Sequence, residues 1–318
     1  MAVKRTGQLS LAEGFMNPGL GRNARLEQLS QTVKWRRFER LLSGLRDPGP
    51  GRPGYSPLLM FKALLLAAWH GLSDAELEEA LGDRLSFRAF VGLSLQDAVP
   101  DHTTFCRFRN GLVAAKLMEK LFAEFDRQLE AAGMILKRGT MLDATLIEAA
   151  TARPRGGADA PRRDPDAAFT KKNGETRYGY KAHVGTDQGS GFIRALATTP
   201  ANVNDTKPAD QLIRGDEKAV YGDKAYDSHD RRAQLKARGI KPRMMRRANK
   251  HHPVLSPRWR RFNALAAKKR AEVETTFATW KRRMGLVRAR YLGIAKNHAH
   301  FLLVALAFNM RKLTMVTP

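Results

Sequence analysis

The 318-residue sequence has very little cysteine, and this scarcity excludes several classes of protein. Its single cysteine, Cys106, has no second cysteine for an intrachain disulfide, and no cysteines and histidines have the spacing of a structural zinc site. We therefore expect the chain to fold in a reducing compartment without disulfide bonds. Cys106 itself is interpreted as a small packed residue rather than a nucleophile.

Long apolar runs are also missing. The two most apolar stretches, residues 58–69 and 301–308, are shorter than the roughly 20 residues needed to cross a bilayer, and charges flank both of them. The first residues, Met1 to Arg5, lack the apolar core of a signal peptide. The sequence therefore predicts no membrane partner and a cytoplasmic location.

Acidic residues are few in comparison with basic ones. The chain has 31 Asp and Glu against 56 Lys and Arg, which gives a formal net charge of +25. A strongly basic protein gains affinity for nucleic acid when it displaces counterions from phosphates. DNA or RNA is thus the expected partner, and the alternative is an ordinary basic surface or a ribosome-associated protein.

The first half of the chain is predicted to be helical. Prolines and glycines at residues 47–54 indicate a connector, after which Ser56 with Pro57, and Ser73 with Glu76, are typical helix starts. The pattern predicts helices at residues 57–70, 74–81, 86–91, 103–112 and 115–132. The fourth would present Arg107 and Arg109 to DNA if these helices form a helix-turn-helix, and an ordinary solvated face explains the two arginines equally well.

After Gly133 the pattern becomes extended. Strands are predicted at residues 135–145, 177–186, 191–199, 219–223 and 242–245, and helices at 206–213, 228–238, 257–284 and 297–313. Alternating strands and helices indicate an α/β layer. The charged stretch at residues 153–176 is predicted to be a mobile basic loop, either in contact with DNA or serving as a linker.

Two aspartates follow apolar runs in positions where buried strands would end. An ionised Asp143 or Asp223 is costly there unless a partner, a hydrogen-bond set or a cation offsets its desolvation. Each aspartate is therefore either a cap or part of a metal site. On the long helix near the C-terminus, Arg270, Glu274 and Lys281 share one face. Glu274 either pairs with Arg270 or turns toward the two aspartates.

These residues resemble the insertion-sequence-five group of bacterial DDE transposases. The resemblance runs in order from about Ser56 to the C-terminus. It rests on DHTTFCRFR (101–109), LDATLIEA (142–149), GYKAHVG (179–185), ANVND (201–205), YGDKAY (221–226) and residues 270–293. It departs at Ala267, where some relatives have a tyrosine.

The resemblance implies an α/β fold: an RNase H-like mixed five-stranded sheet with flanking helices, preceded by an all-helical N-terminal DNA-binding region. The implied division is a basic N-terminal segment at 1–54, a helical DNA-binding or dimerisation domain at 55–132, and a catalytic domain at 133–318. Within the catalytic domain, the basic loop spans 151–176.

The resemblance also implies a function, which is metal-dependent cleavage and transfer of DNA strands. Asp143, Asp223 and Glu274 would be the catalytic carboxylates and would hold two Mg²⁺ ions, with Mn²⁺ as a substitute. Arg270 is expected to clamp a phosphate or to orient Glu274. The residues expected to contact DNA are Lys281, Arg270, Lys181, His183, Arg107, Arg109, Lys224 and Arg282. For Lys181 and His183 the alternative is an ordinary role at a sheet edge.

The expected partners are the terminal inverted repeats of an insertion sequence, target DNA and at least one further copy of the chain. The expected location is the bacterial cytoplasm, in association with the nucleoid. Two rival functions stay open: an RNase H-like nuclease that cuts without joining, and a non-catalytic DNA-binding protein derived from a transposase.

Overall fold

A computed structural model describes residues 3–8, 11–15, 17, 19–45, 53–153, 163–172, 174–248 and 253–316. Residues 47–52 of the predicted connector, and residues 154–162 and 173 of the predicted basic loop, lie outside these residues. The helices are α1 Leu11–Gly14, α2 Ala24–Thr32, α3 Trp35–Leu42, α4 Pro57–His70, α5 Asp74–Asp83, α6 Leu85–Val91, α7 His102–Ala114, α8 Leu117–Ala131, α9 His229–Ala237, α10 Pro257–Arg283 and α11 Ile294–Val316. The strands are β1 Thr140–Glu148, β2 Ala168–Lys172, β3 Glu175–Asp187, β4 Ile193–Pro200, β5 Ala219–Gly222 and β6 Lys241–Met244.

The chain divides into two units. The first, unit 1, comprises Met1–Gln128, Arg283–Gly285 and Leu302–Pro318, and the second, unit 2, comprises Leu129–Arg282 and Leu286–Phe301. Helices α8 and α11 each contribute residues to both units. The domain boundaries predicted at residues 54 and 132 stay predictions.

Unit 1 is built from helices whose ends follow from local sequence. Helix α4 begins at Pro57 and ends before Gly71, whose φ of 72° places it in the left-handed region that glycine favours. Helix α5 starts with the predicted capping box, in which the Ser73 and Glu76 side chains and backbone N–H groups are paired. Because Asp101 accepts the N–H of Thr104, α7 begins one residue earlier than predicted.

Unit 2 contains a mixed sheet of six strands, not the five expected. The order is β2-β3-β1-β5-β6, and β4 pairs with β3 beyond the end of β2. Strand β1 is antiparallel to β3 and parallel to β5, and β5 is parallel to β6. The mixed sheet with preceding helices is consistent with the expected RNase H-like architecture.

The additional strand, β2, lies in the segment predicted to be a mobile loop. It forms an antiparallel hairpin with the start of β3, and the rings of Phe169 and Tyr178 pack with their centroids 4.9 Å apart. Cross-strand aromatic pairs of this kind stabilise a short strand despite charged neighbours such as Lys171.

Two other elements differ from the predictions. Strand β1 starts at Thr140 rather than residue 135, because the Asp187 carboxylate accepts the N–H groups of Leu136 and Lys137 and keeps them out of the ladder. It continues to Glu148, so Asp143 lies within the strand and not at its end. The helix predicted at 206–213 is a single 3₁₀ turn, Ala209–Leu212.

Helix α11 is longer than the apolar run at 301–308 suggested. It has 23 residues, and its length and composition alone would allow it to cross a membrane, but 72% of its most apolar segment is buried inside the protein. Such burial is typical of a core helix.

The core of unit 2 includes a cluster of buried residues: Leu142, Ala209, Leu212, Ile213, Val220, Tyr226, Leu235, Ile240 and Met244.

Candidate active site

Asp143 and Asp223 lie on neighbouring parallel strands at the same level. Met141 of β1 pairs with Tyr221 of β5, and each aspartate follows its paired residue by two positions. Adjacent strands are about 4.8 Å apart, so the two carboxylates approach each other where β5 ends. Burial is the largest cause of a raised pKa at Asp143, and the charge of Asp223 raises that pKa further. The structure thus brings two like charges together in a poorly solvated place.

Arg270 of α10 faces this pair. Its Nη2 lies 3.1 Å from Oδ2 of Asp143, and the two side chains are 14% and 21% exposed. The other carboxylate oxygen, Oδ1, accepts the N–H of Ala144 at 2.9 Å. The guanidinium lowers the pKa of Asp143 and so opposes the effect of burial. Neither role expected for Arg270 included this ion pair.

Asp223 also has a local structural role. Its Oδ1 accepts the N–H of Ala225 at 2.7 Å, which caps the 3₁₀ turn Lys224–Tyr226. The cap fixes the side chain at the end of β5 while its second oxygen stays available. Both readings made from the sequence, a cap and a ligand, are compatible with this geometry. Lys224 is exposed beside it.

Glu274 is not gathered with the two aspartates. It is exposed on α10, one turn after Arg270. Within the part of the chain that the structure describes, no three Asp, Glu, His or Cys side chains are close enough to hold one metal ion. The predicted triad therefore stays a prediction. Lys281 is half-buried two turns further along the same helix, and Arg282 is exposed.

The two aspartates by themselves suit a hard divalent cation. They offer carboxylate oxygens, which Mg²⁺ prefers, at adjacent positions. A cation between them would also offset the desolvation and repulsion that raise the pKa of Asp143. The two aspartates therefore offer donors of the kind that the expected metal prefers.

Comparison with known families identifies the family of the chain. Residues 135–310, more than half of the chain, match the family model of the transposase DDE domain. The chain belongs to the DDE transposase family. Residues 17–111 of this transposase match a second model, described as a transposase domain (DUF772).

A solved structure with a similar chain is the cryo-EM structure of the piggyBac transposase synaptic complex with hairpin DNA. The sequences are 12% identical, and the match has a TM-score of 0.43. It covers 98% of this transposase and 78% of the other chain. This similarity is too low to assign functional residues.

Lys181 and His183 do not lie at a sheet edge. Both belong to β3, which is flanked by β1 on one side and by β2 and β4 on the other. The Nζ of Lys181 lies 2.9 Å from the Val203 carbonyl and 2.8 Å from Asp205 Oδ1, and His183 is fully buried with Nε2 2.8 Å from Thr199 Oγ1. A buried imidazole has no surface to offer to DNA. The structure therefore gives no support to the DNA contact expected of His183.

Burial also keeps the imidazole of His183 neutral. Desolvation is the largest cause of its low pKa of about 4, with a smaller contribution from the charge of Lys181. At neutral pH the ring carries no charge to attract a phosphate. In the structure the ring packs within the sheet, and the DNA contact of His183 stays a prediction.

The two arginines of α7 have different environments. Arg109 makes a bidentate pair with Asp74 of α5, at 2.7 and 2.8 Å, and is 11% exposed. It therefore ties two helices of unit 1 together, and the DNA contact predicted for it stays a prediction. Arg107 is exposed and its Nη2 lies 3.2 Å from Thr104 Oγ1.

The interpretation of Cys106 as a small packed residue is wrong, since its side chain is exposed.

A basic cavity of about 580 Å³ lies in unit 2. Its walls are mostly polar or charged, and they comprise Asp227, Ser228, His229, Arg232, Arg246, Arg247, Val254, Leu255, Ser256 and Trp259. The guanidinium of Arg246 lies over the Trp259 ring, 4.4 Å from its centroid. Arginines beside a half-buried tryptophan are suited to nucleic acid, because guanidinium groups bind phosphates and aromatic rings stack on bases.

Proposed function

We propose that this transposase binds the terminal inverted repeats of an insertion sequence and catalyses metal-dependent DNA cleavage and strand transfer. Asp143, Asp223 and Glu274 are the proposed catalytic carboxylates. The observation that carries the proposal is the position of the two aspartates: they lie at the same level of two parallel strands, Asp143 is 21% exposed, and Asp223 is half-buried. Mutual repulsion makes such a pair costly, and a cation between the two carboxylates would offset that cost.

The proposed ligand roles are those that the resemblance to the family implies. Asp143 would contact both cations, and Asp223 and Glu274 would each contact one. Mg²⁺ is the proposed ion and Mn²⁺ a substitute. Two such ions supply activation of a water or 3′-hydroxyl and stabilisation of the departing oxygen. The protein's own task is to hold three carboxylates still and to fix the DNA backbone.

DNA binding is proposed to depend on exposed cations. The charge of +25 gives the chain a general affinity for phosphates. Arg107, Lys224 and Arg282 are all exposed, and the cavity lined by Arg246 and Trp259 adds a basic and aromatic surface in unit 2. Arg270 and Lys281 are proposed to contact phosphates next to the carboxylates.

Membership of the insertion-sequence-five group is a further part of the proposal, and it rests on the ordered motifs from residue 101 to residue 293. The proposal includes a bacterial cytoplasmic location in association with the nucleoid. Joining two transposon ends requires two of them in one complex, so we propose at least a dimer on DNA.

Cleavage of end DNA tests the proposal. With Mg²⁺, the purified chain should cut DNA that carries the inverted repeats flanking its gene, and Asp143→Asn should bind that DNA without cutting it. If Asp143→Asn cuts as fast as the wild type, the assigned site is wrong. A non-catalytic derivative would bind DNA but leave it intact under all metal conditions.

Strand transfer distinguishes the transposase from a nuclease. Precleaved ends with free 3′-hydroxyl groups, mixed with a target plasmid, should yield joined products. Cleavage without joined products would favour the nuclease.

Glu274 has a matched control on the same helix. Glu272 is also exposed, two residues away, and accepts the N–H of Gly189 at 3.3 Å. Glu274→Gln should abolish cleavage, whereas Glu272→Gln should leave it unchanged. Equal activity of the two variants would remove Glu274 from the triad.

A further inference from the structure

Two buried polar atoms beside the candidate site have no hydrogen-bond partner within the described structure. They are the hydroxyl oxygen of Tyr226 and the Nε of Arg270. Buried tyrosine hydroxyls are normally paired, and leaving one unpaired costs about 1–3 kcal/mol. An unpaired hydroxyl on the residue whose backbone N–H donates to Asp223 therefore needs an explanation.

Packing holds the Tyr226 ring in one place. The side chain is 2% exposed and belongs to the apolar cluster that contains Leu142 and Val220. Gly222 lies against the ring so closely that an added Cβ would be 3.0 Å from the Cβ of Tyr226. The hydroxyl therefore has little freedom to seek a different partner.

The backbone around Tyr226 is fixed to Asp223. The N–H of Tyr226 donates to the Asp223 carbonyl at 3.1 Å, and the Tyr226 carbonyl accepts Nη1 of Arg231 at 2.8 Å. The ring and the carboxylate thus belong to the same capped turn.

Carboxylates dominate the electrostatic environment of the hydroxyl. Burial is the largest cause of its raised pKa, followed by the charges of Asp205, Asp143 and Asp223. The group therefore keeps its proton and is available as a hydrogen-bond donor. Its missing partner should be an acceptor close to these carboxylates.

We propose that Tyr226 is a positioning residue, whose hydroxyl donates a hydrogen bond to a water molecule coordinated to the divalent cation held by Asp143 and Asp223. This inference rests on the proposed function. Mg²⁺ gives up its waters reluctantly and usually keeps several of them in a protein site. Groups that hydrogen-bond to the coordination shell orient it and tighten metal binding. The absence of a protein partner for the hydroxyl is then expected.

Tyr226→Phe provides the test, because it removes the hydroxyl and keeps the ring. The melting temperature of the full chain should be measured without DNA, over a titration of MnCl₂ and separately of MgCl₂. Without metal, the variant should be as stable as the wild type or more so. The metal concentration that gives half of the maximal rise in melting temperature should increase about 10-fold.

Tyr180→Phe is the matched control. Tyr180 is also fully buried in unit 2, but its hydroxyl donates to Asp164 Oδ1 at 2.6 Å. Loss of that bond should lower the melting temperature without metal and leave the metal midpoint at the wild-type value. The two variants should therefore show opposite patterns.

Two results would overturn the inference. One is a wild-type metal midpoint for Tyr226→Phe. The other is a fall in its metal-free melting temperature as large as that of Tyr180→Phe, because the hydroxyl would then have a partner within the protein, such as Asp205. Asp143→Asn separates this inference from the proposed function. If that variant loses the metal response while Tyr226→Phe keeps it, only the inference fails; if Asp143→Asn keeps a wild-type response, the cation site itself is wrong.

Discussion

Replacing Arg270 with methionine removes the guanidinium that faces Asp143 while keeping a long apolar stem on α10. At 3.1 Å and an effective dielectric constant of about 20, the direct attraction amounts to about 5 kcal/mol. Desolvation of both groups offsets much of it, and the side chains are 14% and 21% exposed. We therefore expect Arg270→Met to destabilise the metal-free protein by about 2 kcal/mol at pH 7.

The assay is a double-mutant cycle with Asp143→Asn, measured by urea unfolding in EDTA. Asp143→Asn should remove most of the cost of Arg270→Met, because a neutral amide does not need the guanidinium. The cost should also vanish at low pH. Burial raises the pKa of Asp143, so the carboxylate is protonated as the pH falls through that raised value, and the wild type and Arg270→Met then converge.

Divalent cations add a second readout to the same experiment. A cation at the two aspartates supplies the positive charge that Arg270→Met has lost, so Mn²⁺ should stabilise this variant more than it stabilises the wild type. Additive single-mutant effects in the cycle, together with equal Mn²⁺ responses, would refute the view that Arg270 and the cation compensate the same carboxylates.

Two further predictions concern unit 1. Burial lowers the pKa of Lys62 to about 8, while Trp35, whose ring centroid lies 4.6 Å from its Nζ, offsets part of the cost. The charged amine therefore destabilises the folded state below pH 8, and this penalty disappears as the pH rises toward 10.5. Lys62→Met should stabilise the protein by about 1–2 kcal/mol at pH 7, measured by urea unfolding. It should also make the free energy of unfolding less dependent on pH between 8 and 10.5. Arg109→Ala should lower the free energy of unfolding by about 2 kcal/mol, because it leaves Asp74 unpaired. Arg107→Ala should leave stability unchanged and should reduce the slope of DNA affinity against salt concentration, on logarithmic scales, by about one. Equal effects of the two arginine variants on both quantities would contradict these separate roles.

The sequence predicted the elements of this transposase best where one local rule determines them. Helix α4 has the predicted limits because a first-turn proline and a left-handed glycine mark its ends. Asp143 and Asp223 each follow an apolar run, so the sequence indicated that they could share a metal site if their strands were adjacent. The parallel pairing of β1 with β5 brings these equivalent positions side by side.

The sequence predictions failed where partners are distant along the chain. Strand β2 is short and charged, and its stability comes from pairing with β3. Arg109 reads as a surface cation until α5 brings Asp74 to it, 35 residues away. Lys181 and His183 alternate as residues on an exposed strand would, but β3 became interior because β2 and β4 share its other edge. Local periodicity contains none of this information.

Glu274 shows the same limit at the site itself. Helical periodicity correctly places Arg270 and Glu274 one turn apart, but it determines only their relative direction and not the rotation of α10 against the sheet. In the observed rotation Arg270 reaches Asp143 and Glu274 is exposed.

Two aspartates and one guanidinium leave a net charge of about −1 beside the proposed cations. Glu274 would bring this charge to about −2, which is a better match for divalent ions. The negative charge of Glu274 would therefore favour cation binding even where its side chain does not contact the ion. Glu274→Gln should weaken Mn²⁺ binding to protein from which EDTA has removed all metal, even before DNA is added. If Glu274→Gln and Glu272→Gln bind Mn²⁺ equally and differ only in cleavage, Glu274 joins the site only when DNA is bound.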